Sequence, residues 1–295
     1  MAGFGSPLVP RRRLAAELGR LRKEAGLTGA EVARQLHWSA SKVSRYELAR
    51  TGLKPDEVGR LLDVYQVTGA ARAELLALAA EGEKKKRGWW DAYSDVLPDE
   101  LSELIGLENE ARSALTWQIE CVPGLLQTRR YAQQVNRSYQ QVAGVPPGLM
   151  ERRVQARMLR QQVLSRTAPL ELAAVIDESA LRRGVADPAV MREQLEYLVE
   201  VSEQPNVAIR VLPLAASLNV IHPSFVVLEF GGSQIGGSDT LPDVAYAEHL
   251  VTNLYFDDEE ITYAYKEAFR QLESAALSES DAGSLIRDVA QQAWA

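Results

Sequence analysis

The stretch LTGAEVARQLHWSASKVSRYE, Leu27 to Glu47, decides the reading of this chain. It holds two short helical patterns joined by a tight turn. Thr28 stands three residues before Glu31, the spacing of a capping box, so the first helix can satisfy its own free amides. Ser39 is placed to cap the second helix, with Val43 and Tyr46 on its inner face. Ala33 is small enough for the two helices to cross closely and steeply, as a helix-turn-helix requires. What remains of the second helix is a short polar, cationic face: Ser41, Lys42, Ser44 and Arg45. Its size and chemistry suit the major groove of DNA. Ala40, Ser41 and Arg45 are therefore expected at base edges. Lys42, Ser44, Thr28 and the cluster Arg11, Arg12 and Arg13 are expected on phosphates.

These residues resemble the helix-turn-helix regulators of the xenobiotic-response-element (XRE) family, over about residues 11–80. Two departures stand out. His37 occupies the turn position usually held by Gly, where a left-handed backbone costs a non-Gly residue roughly 1 kcal/mol. His is among the residues enriched there, so the turn survives. Leu48 and Ala49 follow Glu47 where the family tends to end the helix with Gly, which defers the stop to Gly52.

Charge divides the chain. Residues 1–87 carry 17 Lys and Arg against 10 Asp and Glu, while the whole chain has a net charge of −7, which leaves −14 for the rest. A basic head on an acidic body is the electrostatic footprint of nucleic-acid binding confined to the head. A single cysteine, Cys121, excludes an intrachain disulfide and any cysteine-rich metal site. It follows Leu115, Trp117 and Ile119 in an alternating run and reads as a buried structural thiol. No apolar run approaches the ~20 residues of a membrane helix, and the N-terminus lacks a secretory apolar region. A cytoplasmic protein, nucleoid-associated when on DNA, is the expectation.

The expected fold is an all-α, five-helix repressor-like head followed by a mixed α+β domain. A flexible arm covers residues 1–10, the head 11–82, a linker 83–98 and the second domain 99–295. In the head, Pro10 opens a helix bearing Leu14, Leu18 and Leu21 that Gly26 ends, and Pro55 opens another bearing Val58, Leu61 and Leu62. In the second domain, helices are expected over 99–109, from about 128, and over 151–165, 188–203 and 280–292. Strands are expected over 115–121, 170–176, 207–212, 225–230 and 244–248. Asp257 with Glu260 forms a capping box before the helix bearing Ile261, Tyr265, Ala268 and Leu272. Gly231–Gly237 reads as a hairpin loop.

Glu108, the run Val122-Pro123-Gly124-Leu125-Leu126-Gln127-Thr128, Tyr131 and Tyr246-Ala247-Glu248 make this second part similar to the C-terminal domain of actinobacterial (Streptomyces-type) antitoxin-like XRE regulators. The resemblance implies a transcriptional regulator whose larger domain binds a small partner protein encoded beside it and modulates DNA affinity. It supplies no catalytic residues.

The residues themselves add little chemistry. His37, His222 and His249 lie far apart with no ligand cluster around them, so no metal and no cofactor are expected. No nucleophile elbow or P-loop is present, and Asp177 before Glu178 reads as a helix cap rather than a paired-carboxylate site. Arg210 interrupts an apolar strand and is a candidate ligand contact in a cleft with His222 or Glu248. Trp89 and Trp90, costly to leave in water, are candidates for docking on the second domain or a partner. One recognition helix spans too few base pairs for specificity, so a homodimer on double-stranded DNA is expected, held together by residues after about 80. The rivals are a small-molecule-sensing regulator and an enzyme tethered to DNA.

Overall fold

A computed structural model of the chain describes residues 8–47, 52–83, 88–143, 146–217, 222–231, 242–248 and 253–294. Most of the expected N-terminal arm, the segment after Glu47, residues 84–87 of the expected linker and nearly all of the Gly-rich loop lie outside these residues. The chain divides into two compact units; the described residues up to Gly88 belong to the first, and those within Trp89–Phe230 and from Asp243 on to the second.

The described residues of the first unit form five helices: α1 (Leu8–Glu24), α2 (Gly29–Leu36), α3 (Ala40–Glu47), α4 (Pro55–Val64) and α5 (Gly69–Glu83). α1 begins before Pro10, so the arm ends earlier than its sequence suggests. The starts and stops have local causes. Thr28 accepts the Glu31 amide while Glu31 accepts the Thr28 amide, closing the capping box that starts α2. His37 ends α2 in the left-handed region at φ 55°, and Gly26 ends α1 at φ +70°. Pro55 opens α4, where its missing N–H costs nothing. Leu14, Leu18, Val32, Val43, Tyr46, Val58, Leu61, Leu62 and Leu75 meet in one core.

The second unit is built on one six-stranded sheet. Its strands are β1 (Ser113–Gln118), β2 (Glu171–Asp177), β3 (Val207–Leu212), β4 (Phe225–Glu229), β5 (Val244–Glu248) and β6 (Asn253–Phe256). Their order is β3-β2-β1-β4-β5-β6. β1, β2 and β3 run parallel, while β4, β5 and β6 add antiparallel to one another from the other side of β1. The parallel half needs long crossovers. α7 (Arg129–Ala143) and α8 (Pro147–Arg160) make the first, and α9 (Glu178–Arg182) with α10 (Pro188–Val201) the second. α6 (Asp99–Glu110) precedes β1, and α11 (Glu259–Ala275) and α12 (Glu279–Gln292) end the unit.

Trp117, Val175, Phe225, Val227 and Ala245 pack with Ala268, Phe269 and Leu272 of α11, so this helix covers one face of the sheet. Three sequence expectations shift. Asp258, not Asp257, caps α11, accepting from the Glu260 and Ile261 amides. β6 was not foreseen. The linker does not reach Pro98: Trp90 packs with Val96, Leu97, Ile105 and Ala156 inside the second unit.

A buried ion pair joins two helices behind the sheet. Glu108 of α6 is 2 % exposed and accepts two hydrogen bonds from Arg160 of α8, both at 2.6 Å. Removing one partner strands the other charge in a low-dielectric wall. Glu108→Ala is expected to cost about 3–5 kcal/mol in the urea unfolding transition of the unit containing Trp90 and Trp117, read by tryptophan fluorescence. A loss under about 1 kcal/mol would show that the pair is dispensable.

Candidate nucleic-acid interface

α3 is eight residues long, and only Val43 and Tyr46 on it are buried. Ala40, Ser41, Ser44 and Arg45 are all exposed, and no described residue pairs with Arg45. The helix therefore presents one small, polar, singly cationic face. Ser39 starts it by accepting the Lys42 amide at 3.2 Å and meets the Ser41 hydroxyl at 3.0 Å.

Two carboxylates fix the attitude of α3. Glu47, its last described residue, accepts from Arg22 of α1 at 2.7 and 2.9 Å, and the same guanidinium donates to the Leu27 carbonyl at 2.8 Å. Glu57 of α4 accepts from the Lys42 ammonium and from the Tyr46 hydroxyl, each at 2.7 Å. The Lys42 ammonium also lies 4.2 Å from the centre of the Trp38 ring, whose edge meets Tyr46. Arg60 lies against the same ring at 5.2 Å while donating to the Leu36 carbonyl at the end of α2. A cation-rich aromatic cluster thus braces the turn between α2 and α3.

The expected phosphate contacts fare unevenly. Ser44 is exposed, as a phosphate contact needs. Lys42 is already paired with Glu57, so it acts first as a brace for α3. Thr28 commits both its amide and its hydroxyl to the Glu31 carboxylate at 2.7 Å, so both of its donors are engaged within the capping box. Arg11 donates to the Gly82 carbonyl at 3.0 Å, where it closes α1 onto the end of α5, and Arg12 is 7 % exposed. Arg13 is half-buried. The triplet is a structural cluster of the head rather than a solvated helix start. Sequence reasoning missed Glu57, Arg60 and Trp38. Only the register between α3 and α4 reveals them.

In the second unit, Arg210 lies on edge strand β3, 3.9 Å from Glu273 of α11 and from Glu279 of α12. Three strands separate β3 from the strand of Glu248, a span of about 19 Å at sheet spacing, so no cleft joins them. His222 instead meets the Phe225 ring edge, and its carbonyl accepts from the Trp117 indole at 3.1 Å. Trp90 is a core residue, and Trp89 packs edge-on against it. Cys121 is mostly enclosed, and burial pushes its thiol up to about 11, which leaves it inert rather than nucleophilic. Among the described residues no cluster of His, Cys, Asp and Glu is arranged to hold a metal ion, and no helix is long and apolar enough to cross a membrane.

A family model described as a domain of unknown function, DUF5753, matches residues 101–288. The chain belongs to this family. A helix-turn-helix domain model matches residues 13–75, over α1 to the first half of α5, and supports a DNA-binding regulator. No curated protein and no solved structure matches the chain.

The Glu57 brace has a pH signature. Desolvation raises its carboxyl, but the hydrogen bonds from Lys42 and Tyr46 outweigh this and hold it below the usual carboxylate range. A depressed carboxylate stabilises the folded state above its unfolded pKa of about 4.3 and loses that contribution as pH falls through the folded value. Amide hydrogen exchange in α3 of the intact chain is expected to quicken as pH falls below about 4.3, relative to α1. Glu57→Gln should flatten that difference. An unchanged pH profile in the variant would remove Glu57 as the brace.

Proposed function

We propose that the chain is a sequence-specific transcriptional regulator that reads DNA with the exposed face of α3 and receives its signal through the second unit. The observation that carries this reading is the division of α3 into an anchored face, Val43 and Tyr46 with Lys42 and Glu47 clamped, and an exposed one, Ala40, Ser41, Ser44 and Arg45. Arg45 on such a face can form the bidentate contact with guanine O6 and N7, while Ser41 and Ala40 lie at the helix N-terminus that enters the groove. A single helix covers one half-site. The regulator therefore acts as a homodimer on half-sites ~34 Å apart or a multiple of that distance.

For the signal, the antitoxin-like reading places a small, adjacently encoded protein on the second unit. The support is that large apolar side chains are exposed on the last elements of the unit, Leu254 on edge strand β6 and Ile261 and Tyr263 on α11. Edge strands with exposed apolar side chains pair readily with another chain. A second reading, small-molecule sensing, is favoured by a cleft of about 310 Å³ within the same unit, which falls at the lower end of the ~300–1,000 Å³ of ligand sites. Either way the second unit works as a receiver rather than an enzyme.

The test is an operator selected from genomic fragments with the full chain and measured at one fixed salt concentration. Arg45→Ala is expected to weaken operator binding by about 1–3 kcal/mol and to leave binding to random DNA nearly unchanged. Equal losses on both would remove base readout by Arg45.

A further inference from the structure

We propose that the cleft at the carboxyl end of β1 is a binding site for small organic cations, an amine or guanidine carried on a compact apolar body. The proposal deepens the sensing reading, and rests on it only for its effect on DNA.

The position comes from the topology. β1 is the strand from which the chain builds outward in both directions, β2 and β3 on one side and β4 to β6 on the other. In open sheets with parallel strands, ligands bind beyond the strand carboxyl ends at such a switch point. The register then sets the floor. Thr116, Val226 and Tyr246 stand side by side across β1, β4 and β5, with Ala114 and Leu172 one row behind. At the carboxyl end of β1 the row becomes polar: Gln118, Ser224 and Glu248 line the cleft with Glu120. Leu101, Leu104, Leu125 and Val135 supply an apolar wall.

The charges select the sign of the ligand. Among the described residues, five charged side chains line the cleft: Glu108, Glu120, Glu248, Arg157 and Arg160. Arg160 is spent on Glu108, with both carboxylate oxygens engaged at 2.6 Å. Arg157 donates to the Gln127 amide oxygen at 2.7 Å, and that amide is itself fixed by donating to the Val122 carbonyl at 2.7 Å. Glu120 accepts from Ser224, whose oxygen accepts the Ile119 amide at 3.0 Å, so this carboxylate is held in place. With the buried pair cancelled, one guanidinium faces two carboxylates, and Glu120 and Glu248 are the exposed ones. An acidic rim over an apolar wall focuses a field that draws in cations and turns away carboxylates. The Tyr246 ring on the floor adds an aromatic surface that suits a cation. The volume equals that of about ten waters, enough for a one-ring amine.

The experiment titrates the full chain by calorimetry with three probes on one aryl-alkyl body: 4-phenylbutylamine, 5-phenylpentanoate and 4-phenylbutan-1-ol. The amine is expected to bind one to one and about tenfold or more tighter than the carboxylate. Glu248→Gln and Glu120→Gln should each weaken the amine and spare the alcohol. Leu104→Trp should weaken amine and alcohol together. Absence of saturable amine binding, or a carboxylate that binds as well, overturns the proposal, as would acid-to-amide variants that bind the amine unchanged. Operator affinity is read separately with and without the amine. Amine binding that leaves operator affinity unchanged supports the site and removes the sensing reading. Loss of amine binding removes the site and leaves the regulator reading intact.

Discussion

The proposed DNA-reading surface depends on how a very short helix is held. α3 has eight described residues, well below the roughly 12–15 at which an isolated helix becomes even marginal in water. Its helicity is therefore tertiary. Val43 and Tyr46 supply the apolar anchor, and burying such side chains is worth roughly 1.5–3 kcal/mol each. Apolar contact alone does not fix rotation about the helix axis. The two carboxylates do: Glu47 is gripped by Arg22 from α1, and Glu57 from α4 grips Lys42 and Tyr46. Directional bonds on two sides leave α3 one orientation, with Ser41, Ser44 and Arg45 outward.

That arrangement changes the meaning of the head's positive charge. Much of it is structural. Arg11, Arg12, Arg22, Lys42 and Arg60 are each buried or tied to a named neighbour, so they hold the scaffold before they could meet a phosphate. Cations spent in this way still contribute to the long-range field that draws the unit to DNA. On the proposed reading, close contact falls to the residues left outside, among which Arg45 has no described partner. In the second unit the pairing of Glu108 with Arg160 does similar work, since it leaves the exposed acids to set the charge of the cleft rim.

The local signals were legible and the long-range ones were not. Thr28 with Glu31, Ser39, Pro55, Asp177 and the left-handed His37 all behave as the sequence indicates, because caps and turns are decided within about four residues. The strands over 207–212 and 244–248 were equally plain, since alternation or a short apolar run is a local pattern. Arg11 shows the limit. Nothing near it in sequence says that the end of α5 will accept from it. Arg210 shows it again, since its distance from Glu248 is set by a strand order that no single segment encodes. β6 has four described residues, too few for periodicity to register. The cleft was invisible as a cleft, although Glu108, Val122, Gln127, Tyr246 and Glu248 had each stood out in separate segments. A charge inside the apolar run Leu104-Ile105-Gly106-Leu107-Glu108 was the one local hint of a buried ionic partner.

The central claim, that the exposed face of α3 lies against base edges, is tested most directly by site-specific photo-crosslinking. A benzophenone side chain is placed at Ser41 in one variant and at Ala71, exposed on α5, in another, and each is irradiated on a bound operator. The account predicts crosslinks from position 41 to bases within a half-site and none from position 71. Crosslinks from position 71 while position 41 stays silent on bound DNA would contradict it.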